Sequence, residues 1–395
     1  MYRCITYITI QQVPTTDWPN RTTELNFDFV TEFESSDSWR DFTNKGRVTL
    51  PKNLYFKDEN GKLQPLKGTN VNVGGFSSTA PLFLRGDKIT ITAGYKYFNK
   101  DHREVEDVST IHTGFITKVG SKIPIELEIE DNMWKLKQIP VTTHTFKKSD
   151  TLEDMLAFML KGSEFTFKAL TKTTFGEFAI GNETVAQALQ RLQKTFGFEF
   201  YFRGNELRGG VLIYIEAEAA NENFHFQENI IEDELEYKRK DDVTLSAIAH
   251  NTITVENGHC KDGALKTKRQ RLEVLVTIKK NATKTELPYT TRIINRGDIV
   301  PENTDGERRT FFFPGATTTD QLAALAYEKL KMYYYTGFKG TFTTFGIPFV
   351  RQGDNAVIKD PILPERDGRY KIKKVEYSGG INGLRQHIEL DYKIL

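Results

Sequence analysis

Glu126, Glu128, Glu130 and Asp131 put four carboxyl groups within six residues, the kind of density that paired-acid glycoside hydrolysis requires. They fall in Ile125-Glu126-Leu127-Glu128-Ile129-Glu130-Asp131, where polar and apolar residues alternate. A period of two places the three glutamates on one face of a strand, which reads as a solvated sheet face and not as an acid/base pair. Seven histidines are scattered at 102, 112, 144, 225, 250, 259 and 387. None lies at i, i+4 with a carboxylate on a helix, and His259-Cys260 has no further ligand nearby, so packing or surface roles are expected and no metal site. No Gly-x-Ser-x-Gly elbow and no Cys/His nucleophile arrangement occurs. The glycine-rich stretch Asn70-Val71-Asn72-Val73-Gly74-Gly75 lacks the lysine of a phosphate loop and reads as a turn. Arg-Gly-Asp occurs at 85–87 and 296–298, each time before β-branched residues, as a turn entering a strand would. The chain is therefore expected to be no enzyme and to carry no cofactor.

Composition narrows the class. Of 395 residues, 54 are Lys or Arg and 53 are Asp or Glu, a balance that argues against a general polyanion binder and against sequence-specific nucleic-acid binding. Mean hydropathy is −0.48 and no long apolar run is present, so no membrane-spanning helix is expected. Residues 1–10 alternate like a strand and have no continuous apolar core, so they do not read as a leader peptide, and the Asn-x-Thr triplets at 20, 182 and 281 carry no weight. Cys4 and Cys260 leave room for one bond at most and for no disulfide framework, which points to a reducing compartment. The 28 Phe and 16 Tyr against 3 Trp favour sheet.

Three segments must position these residues. Residues 1–135 are mostly strand and loop, with alternation at 24–30 and 46–50. Residues 136–220 change character and read as an α+β insert. One helix is signalled by Asp150 as N-cap with Glu153 three residues on, and stops at Gly162, with Leu152, Met155, Leu156, Met159 and Leu160 as its apolar stripe. A second runs from Asn182 to Gly197, followed by a hairpin that turns at Arg203-Gly204-Asn205 and returns through 211–215. Residues 221–395 hold further strands and one helix at 318–336, after the Pro314-Gly315 break. There Thr318 and Gln321 make a capping box, and Leu322, Leu325, Ala326, Leu330 and Tyr333 form the buried stripe. A charge at Leu325 is expected to cost several kcal/mol. Charge is uneven: Glu228–Asp242 carries net −4 and Lys261–Lys284 net +6, read either as solvated loops or as complementary contacts between subunits.

The end of the chain repeats the logic of its first third. Gly86-Asp87 leads into Lys88-Ile89-Thr90-Ile91, then come Gly114-Phe115-Ile116 and Ile125-Glu126-Leu127. Gly353-Asp354 leads into Asn355-Ala356-Val357-Ile358, then come Gly368-Arg369-Tyr370-Lys371-Ile372 and Ile388-Glu389-Leu390. Gly86, Asp87, Gly353 and Asp354 are thus candidate structural turns, and Leu322, Leu325 and Leu330 candidate packing residues. Two versions of one β-unit in a chain suggest a ring former, since doubling lets a low-order oligomer present a higher-order ring.

The order of the helix at 318–336, Gly346-Ile347-Pro348, Gly353-Asp354, Gly368–Ile372 and Ile388-Glu389-Leu390 resembles the baseplate hub proteins of contractile-tailed phages, including the late-control protein D and Mu-type hub groups. The N-terminal parts of type VI secretion spike proteins and tail-associated proteins of long-tailed phages share that fold. Thr184–Leu192 followed by Phe196-Gly197-Phe198 is similar to the helix and hairpin of the family's inserted domain. The resemblance implies a mainly β chain: two related, tail-tube-like β-barrel domains at 1–135 and 221–395 and a small α+β domain at 136–220. It further implies a homotrimer that adapts a sixfold tail tube to a threefold tip around an axial channel. Implied partners are the tube or distal tail protein, the spike or tip protein and the tape measure protein. The implied location is the virion tail, after assembly in the host cytoplasm. The end at Leu395, just after the last strand, leads us to expect a bare hub served by a separate spike. The competing expectations are a β-rich receptor- or glycan-binding tail protein with an exposed aromatic platform, and a cell-wall enzyme, against which the missing acid/base pattern counts.

Overall fold

The computed structural model describes residues 2–51, 55–57, 63–65, 81–147, 149–170, 177–210, 219–242, 244–259, 265–280, 286–300, 306–313 and 316–394. The expected loop at 70–75, the return strand at 211–215, Cys260 and the break at 314–315 lie outside the described residues.

Strands dominate, as the β-branched and aromatic content requires. The first β-unit comprises β1 (Arg3–Gln11), β2 (Glu24–Phe27), β3 (Glu32–Ser38), β4 (Lys45–Thr49), a small hairpin of β5 (Tyr55–Lys57) and β6 (Leu63–Pro65), β7 (Lys88–Phe98), β8 (Glu104–Val119) and β9 (Glu126–Asp131). There follow α1 (Met133–Leu136), β10 (Pro140–Val141), β11 (His144–Phe146), α2 (Leu152–Met159), β12 (Thr166–Ala169), β13 (Phe178–Ile180), β14 (Glu183–Thr184), α3 (Val185–Phe196), β15 (Glu199–Arg203) and β16 (Glu206–Gly210). The remainder is β17 (Asn221–His225), β18 (Ile230–Lys238), β19 (Thr244–His259), β20 (Leu265–Ile278), β21 (Tyr289–Ile293), β22 (Gly306–Phe312), α4 (Thr319–Lys331), β23 (Gly337–Phe345), β24 (Asn355–Lys359), β25 (Gly368–Gly380) and β26 (Arg385–Ile394).

Thirteen strands share one sheet. Its path runs β18-β23-β26-β25-β3-β4-β9-β8-β7-β1-β2, with β24 on β25 and β17 on β24. Cut between β3 and β25, the path falls into two runs of the same kind. The first reads β3-β4-β9-β8-β7-β1 and the second β18-β23-β26-β25-β24-β17, and within each run the chain visits the strands in the same order. One difference is that β1 pairs antiparallel with β7 while β17 pairs parallel with β24. The two units are joined edge to edge by the antiparallel β3–β25 ladder, from Glu32↔Gly380 to Ser38↔Lys374. A single apolar cluster, from Ile8 through Phe33, Trp39 and Ile116 to Phe342, Ile372 and Tyr392, underlies both.

A second apolar cluster runs from Met133 to Leu207 and holds α2, α3 and the β15–β16 hairpin. Its helices start one or two residues later than the spacing predicts. Thr151, not Asp150, caps α2 in a reciprocal box with Asp154, while Asp150 accepts from the Lys147 amide in the turn before. Thr184, not Asn182, caps α3 in a box with Gln187, and Gly197 ends it at φ +67°, a conformation open to glycine.

α4 packs on β19 and β20. Thr318 caps it by accepting from the Gln321 amide, but Gln321 reaches back to Thr317 instead of Thr318, so the expected box is one-sided. The helix ends at Lys331, well before Gly337. Leu322 and Leu330 are buried, as are Ala323 and Ala326, but Leu325 is 44% exposed, which corrects its place in the packing stripe. At 100° per residue, Leu322, Ala326, Leu330 and Ala323 occupy an arc of about 100°, and Leu325 falls about 60° behind its trailing edge. We predict that Leu325→Asp changes unfolding free energy by no more than about 0.5 kcal/mol. Leu330→Ala, by contrast, should cost about 2–5 kcal/mol in urea titration.

Candidate functional site

The two Gly-Asp turns repeat each other bond for bond. In the first, the Gly86 amide donates to the Ile116 carbonyl at 2.8 Å and the Ile116 amide returns to the Asp87 carbonyl at 2.9 Å. In the second, Gly353 donates to Ile372 and Ile372 to Asp354, both at 2.9 Å. Asp87 Oδ2 accepts from the Leu84 amide at 2.8 Å and Asp354 Oδ2 from the Arg351 amide at 2.9 Å. Gly86 and Gly353 have φ of +96° and +78°, so a side chain at either would be strained. A strand bulge follows in both units, between Ile116 and Lys118 against β9 and between Ile372 and Lys374 against β26. In both, too, a glycine faces a glutamate carbonyl across the ladder. A Cβ on Gly46 would lie 2.6 Å from the Glu34 oxygen, and one on Gly340 would lie 2.3 Å from that of Glu234.

Each aspartate also holds an arginine that its sequence neighbourhood does not announce. Arg21 meets Asp87 with both Nη atoms, at 2.9 and 2.6 Å, and spends its remaining donors on the Val13, Pro81 and Leu82 carbonyls; both side chains are almost fully buried. Arg203 of the β15–β16 hairpin meets Asp354 at 2.8 Å. The first pair pins the loop after β1 to its own unit. The second pins the α/β cluster to the second unit, helped by Gln352 Nε2 on the Phe202 carbonyl.

Between β3, β8, the β15–β16 turn and the second Gly-Asp turn lies a polar cavity of about 320 Å³, lined among others by Asp37, His112, Asp131, Arg203, Arg351 and Gln352. Asp37 faces the cavity and is otherwise enclosed; burial raises its carboxyl to about 8, with Arg351 opposing and Asp131 adding. Burial likewise raises Asp131 to about 7 in spite of the Asn44 and Met133 amides it accepts from, and lowers His112 to about 4. Ser35 Oγ lies 2.9 Å from His112 Nδ1, and both side chains are buried.

The other chemistry-bearing residues stay apart. Glu126 and Glu128 are exposed on β9, Glu128 pairs with Lys118 at 2.5 Å, and Glu130 pairs with Lys137 at 2.7 Å, the solvated face that alternation predicts. Of the two Arg-Gly-Asp triplets, the first has its aspartate sealed against Arg21 and the second forms an exposed turn in which Asp298 accepts from the Asn295 amide. Among the described residues no group of three metal-ligating side chains converges.

No family model matches the chain, and no curated protein does. Solved structures do. The 43 kDa tail protein of prophage MuSo2 from Shewanella oneidensis aligns with TM-score 0.53 at 11% identity, covering 98% of both chains. A tail protein from Neisseria meningitidis MC58 aligns with TM-score 0.53 at 12% identity, over 98% of this chain and 96% of its own. This chain has the phage tail, baseplate hub-like fold. The same fold recurs in a chain of the Francisella PdpA–VgrG complex, TM-score 0.50 at 9% identity, where 99% of this chain aligns with 58% of that one.

Asp87→Ala strands the buried Arg21 and should cost about 3–5 kcal/mol by chemical denaturation. Asp354→Ala should cost less, because Arg203 is 22% exposed and keeps the Gln352 carbonyl. Asp37 and Asp131 hold protons in the folded state that the unfolded chain has already released, so stability falls as pH rises toward 8. His112 acts in the opposite sense, its contribution growing from about pH 4 to its unfolded value of about 6.5, which leaves pH 6.5–8 to the acids. Asp37→Asn should flatten the thermal-melting profile across that window and raise the melting temperature at pH 8.

Proposed function

We propose that this protein is a structural hub of a phage-like tail or injection particle. Three chains form a ring of six related β-units that joins a sixfold tube to a threefold tip around an axial channel. The observation that carries this reading is the doubling itself, matched at the level of turns, bulges and ladder register. The fold shared with tail proteins supports it.

The junction inside the chain supplies a template for the junction between chains. Inside, the outer edge of β3 pairs with β25 over residues 374–380. β18 is the counterpart of β3, and its outer edge pairs with nothing among the described residues. The counterpart of residues 374–380 in the first unit is 118–124, because Ile372 and Ile116 hold the same place in the two ladders. β18 exposes Glu232, Asp233 and Glu234, and the facing segment brings Lys118, Lys122 and an exposed Ile123. An open acidic edge is protected against stray pairing and selective for a basic partner. In this reading β18 of one chain seats against the end of β8 and the turn after it in the next, which sets Glu234 near Lys122. Contacts of such a ring bury about 2,000 Å² or more per pair. The axial faces then meet the tube or distal tail protein on one side and the spike or tip protein on the other, with the tape measure protein on the channel axis.

Light scattering on the purified chain is expected to give three times 45.3 kDa, about 136 kDa. Glu234→Lys should shift that species to monomer and Glu234→Lys with Lys122→Glu should restore it. A trimer indifferent to both changes would place the contact elsewhere. A chain that stays monomeric alone and in the presence of its tube and tip proteins would end the hub reading.

A further inference from the structure

A second cavity, of about 370 Å³, lies where three parts of the chain meet, and it does not involve the Gly-Asp turns. Arg40 reaches it from the loop after β3. Gln193, Lys194 and Glu199 come from the end of α3 and the start of β15, and His250, Arg309, Lys329 and Tyr333 from β19, β22, α4 and the residue pair beyond it. Its wall is basic, with Arg40, Lys194, Arg309 and Lys329 all lining it. Arg40 Nη2 bonds Tyr333 and Asp391, yet its Nε is buried without a partner. Arg309 gives Nη2 to Glu307 and lies 3.5 Å over the Tyr333 ring, yet its Nε is also buried without a partner, as is His250 Nδ1.

Charge points the same way. Lys329 has no carboxylate within ion-pair distance among the described residues; its ammonium sits 4.7 Å over the Phe311 ring, and burial pulls it down to about 8. Lys194 stands exposed at the rim. Of the nearby acids, Asp391 is held by Arg40 and Glu307 by Arg309, while Glu199 accepts from Gln193 and is raised by burial toward its neutral form. Positive charge around this open space therefore exceeds what the neighbouring carboxylates offset. A water accepts at most two hydrogen bonds and carries no charge. A compact anion accepts several at once and offsets the excess charge.

We propose that this cavity binds a small tetrahedral oxyanion, with inorganic phosphate as its simplest form, held by Arg40, Arg309 and Lys329. Bound there, the anion ties the loop after β3, the α3–β15 corner and the β22–α4 layer to one another. The site stands whether or not the chain forms a ring.

The test uses the full chain with inorganic phosphate as probe, against chloride at matched ionic strength. Calorimetric titration should show saturable binding at one site per chain, and melting temperature should rise with phosphate but not with chloride. Sulfate, which shares the geometry, should compete. Lys329→Met removes a half-buried charge that has no counter-ion, so it should fold at least as well as the parent without phosphate. It should nonetheless bind phosphate roughly tenfold more weakly or worse, as the loss of a charge-assisted hydrogen bond demands. Equal shifts with chloride and phosphate, no saturation at millimolar phosphate, or unaltered affinity in Lys329→Met would each overturn the proposal, leaving only water in the cavity.

Discussion

Ile372 is where the two halves of the sheet are reconciled. Its amide and carbonyl are taken by Asp354 and Gly353, and the same carbonyl also accepts from the indole of buried Trp39 at 3.1 Å. On the N-terminal side of this point β25 is covered by β24, and on the C-terminal side by β3. One edge of one strand therefore serves two partners in succession, and the turn has to end the first before the second begins. A left-handed glycine followed by an aspartate that ties back its own loop does this in very little chain. Without that sharp stop, β24 would continue along β25 and close off the edge that β3 needs. The thirteen-stranded sheet would then separate into two sets, each with an open and aggregation-prone edge.

The same device in the first unit has a different outcome. Gly86-Asp87 ends the loop before β7 at the matching point, but β8 runs only to Val119 before turning back through Gly120, whose amide donates to Glu126. The edge that β25 offers to β3 is thus cut short in its counterpart. The two aspartates have taken unrelated arginines, Arg21 from a local loop and Arg203 from the α/β cluster. Turn, bulge and cross-strand glycine persist because backbone geometry requires them. The ion-pair partners differ because a buried carboxylate needs a cation but does not fix which part of the chain supplies it.

Much of this plan can be read from residue order, and the misreadings have physical causes. Gly-Asp turns are legible because a left-handed position and a loop-tying carboxylate are needed together. The helices of the α/β cluster are legible, but their starts drift: Asp150 and Thr151 are both good caps, and only packing decides that the first closes a turn and the second opens the helix. Ile125-Glu126-Leu127 looks like the partner of Ile388-Glu389-Leu390, yet the ladders match Leu127-Glu128-Ile129 to it, since Ile129 opposes Ile116 as Leu390 opposes Ile372. A shift of two leaves every side chain on its own face, so alternation cannot detect it. Leu325 departs from expectation because a helix lying against a sheet buries a narrow arc, and the small residues Ala323 and Ala326 mark that arc better than a leucine count does. Arg21, Arg203 and both cavities left no trace in spacing, because their residues converge from positions tens to hundreds of residues apart.

Divergence between the units bears on symmetry. In the first, β3 reaches β4 through residues 39–44 alone. In the second, the same step from β18 to β23 takes residues 239–336 and carries the β19–β22 sheet and α4. The α/β cluster, too, occurs once per chain, between the units. In the proposed ring, six β-units would alternate between a lean and a loaded form. The inner sheet would stay close to sixfold, and the periphery would be threefold by construction. A simple hexamer of single units has no means of distinguishing alternate positions. A doubled chain does, because each position can gain insertions without disturbing the other. In that proposed ring the elements shared between the units would make the sixfold contact, and the unshared ones would be free to meet a threefold partner.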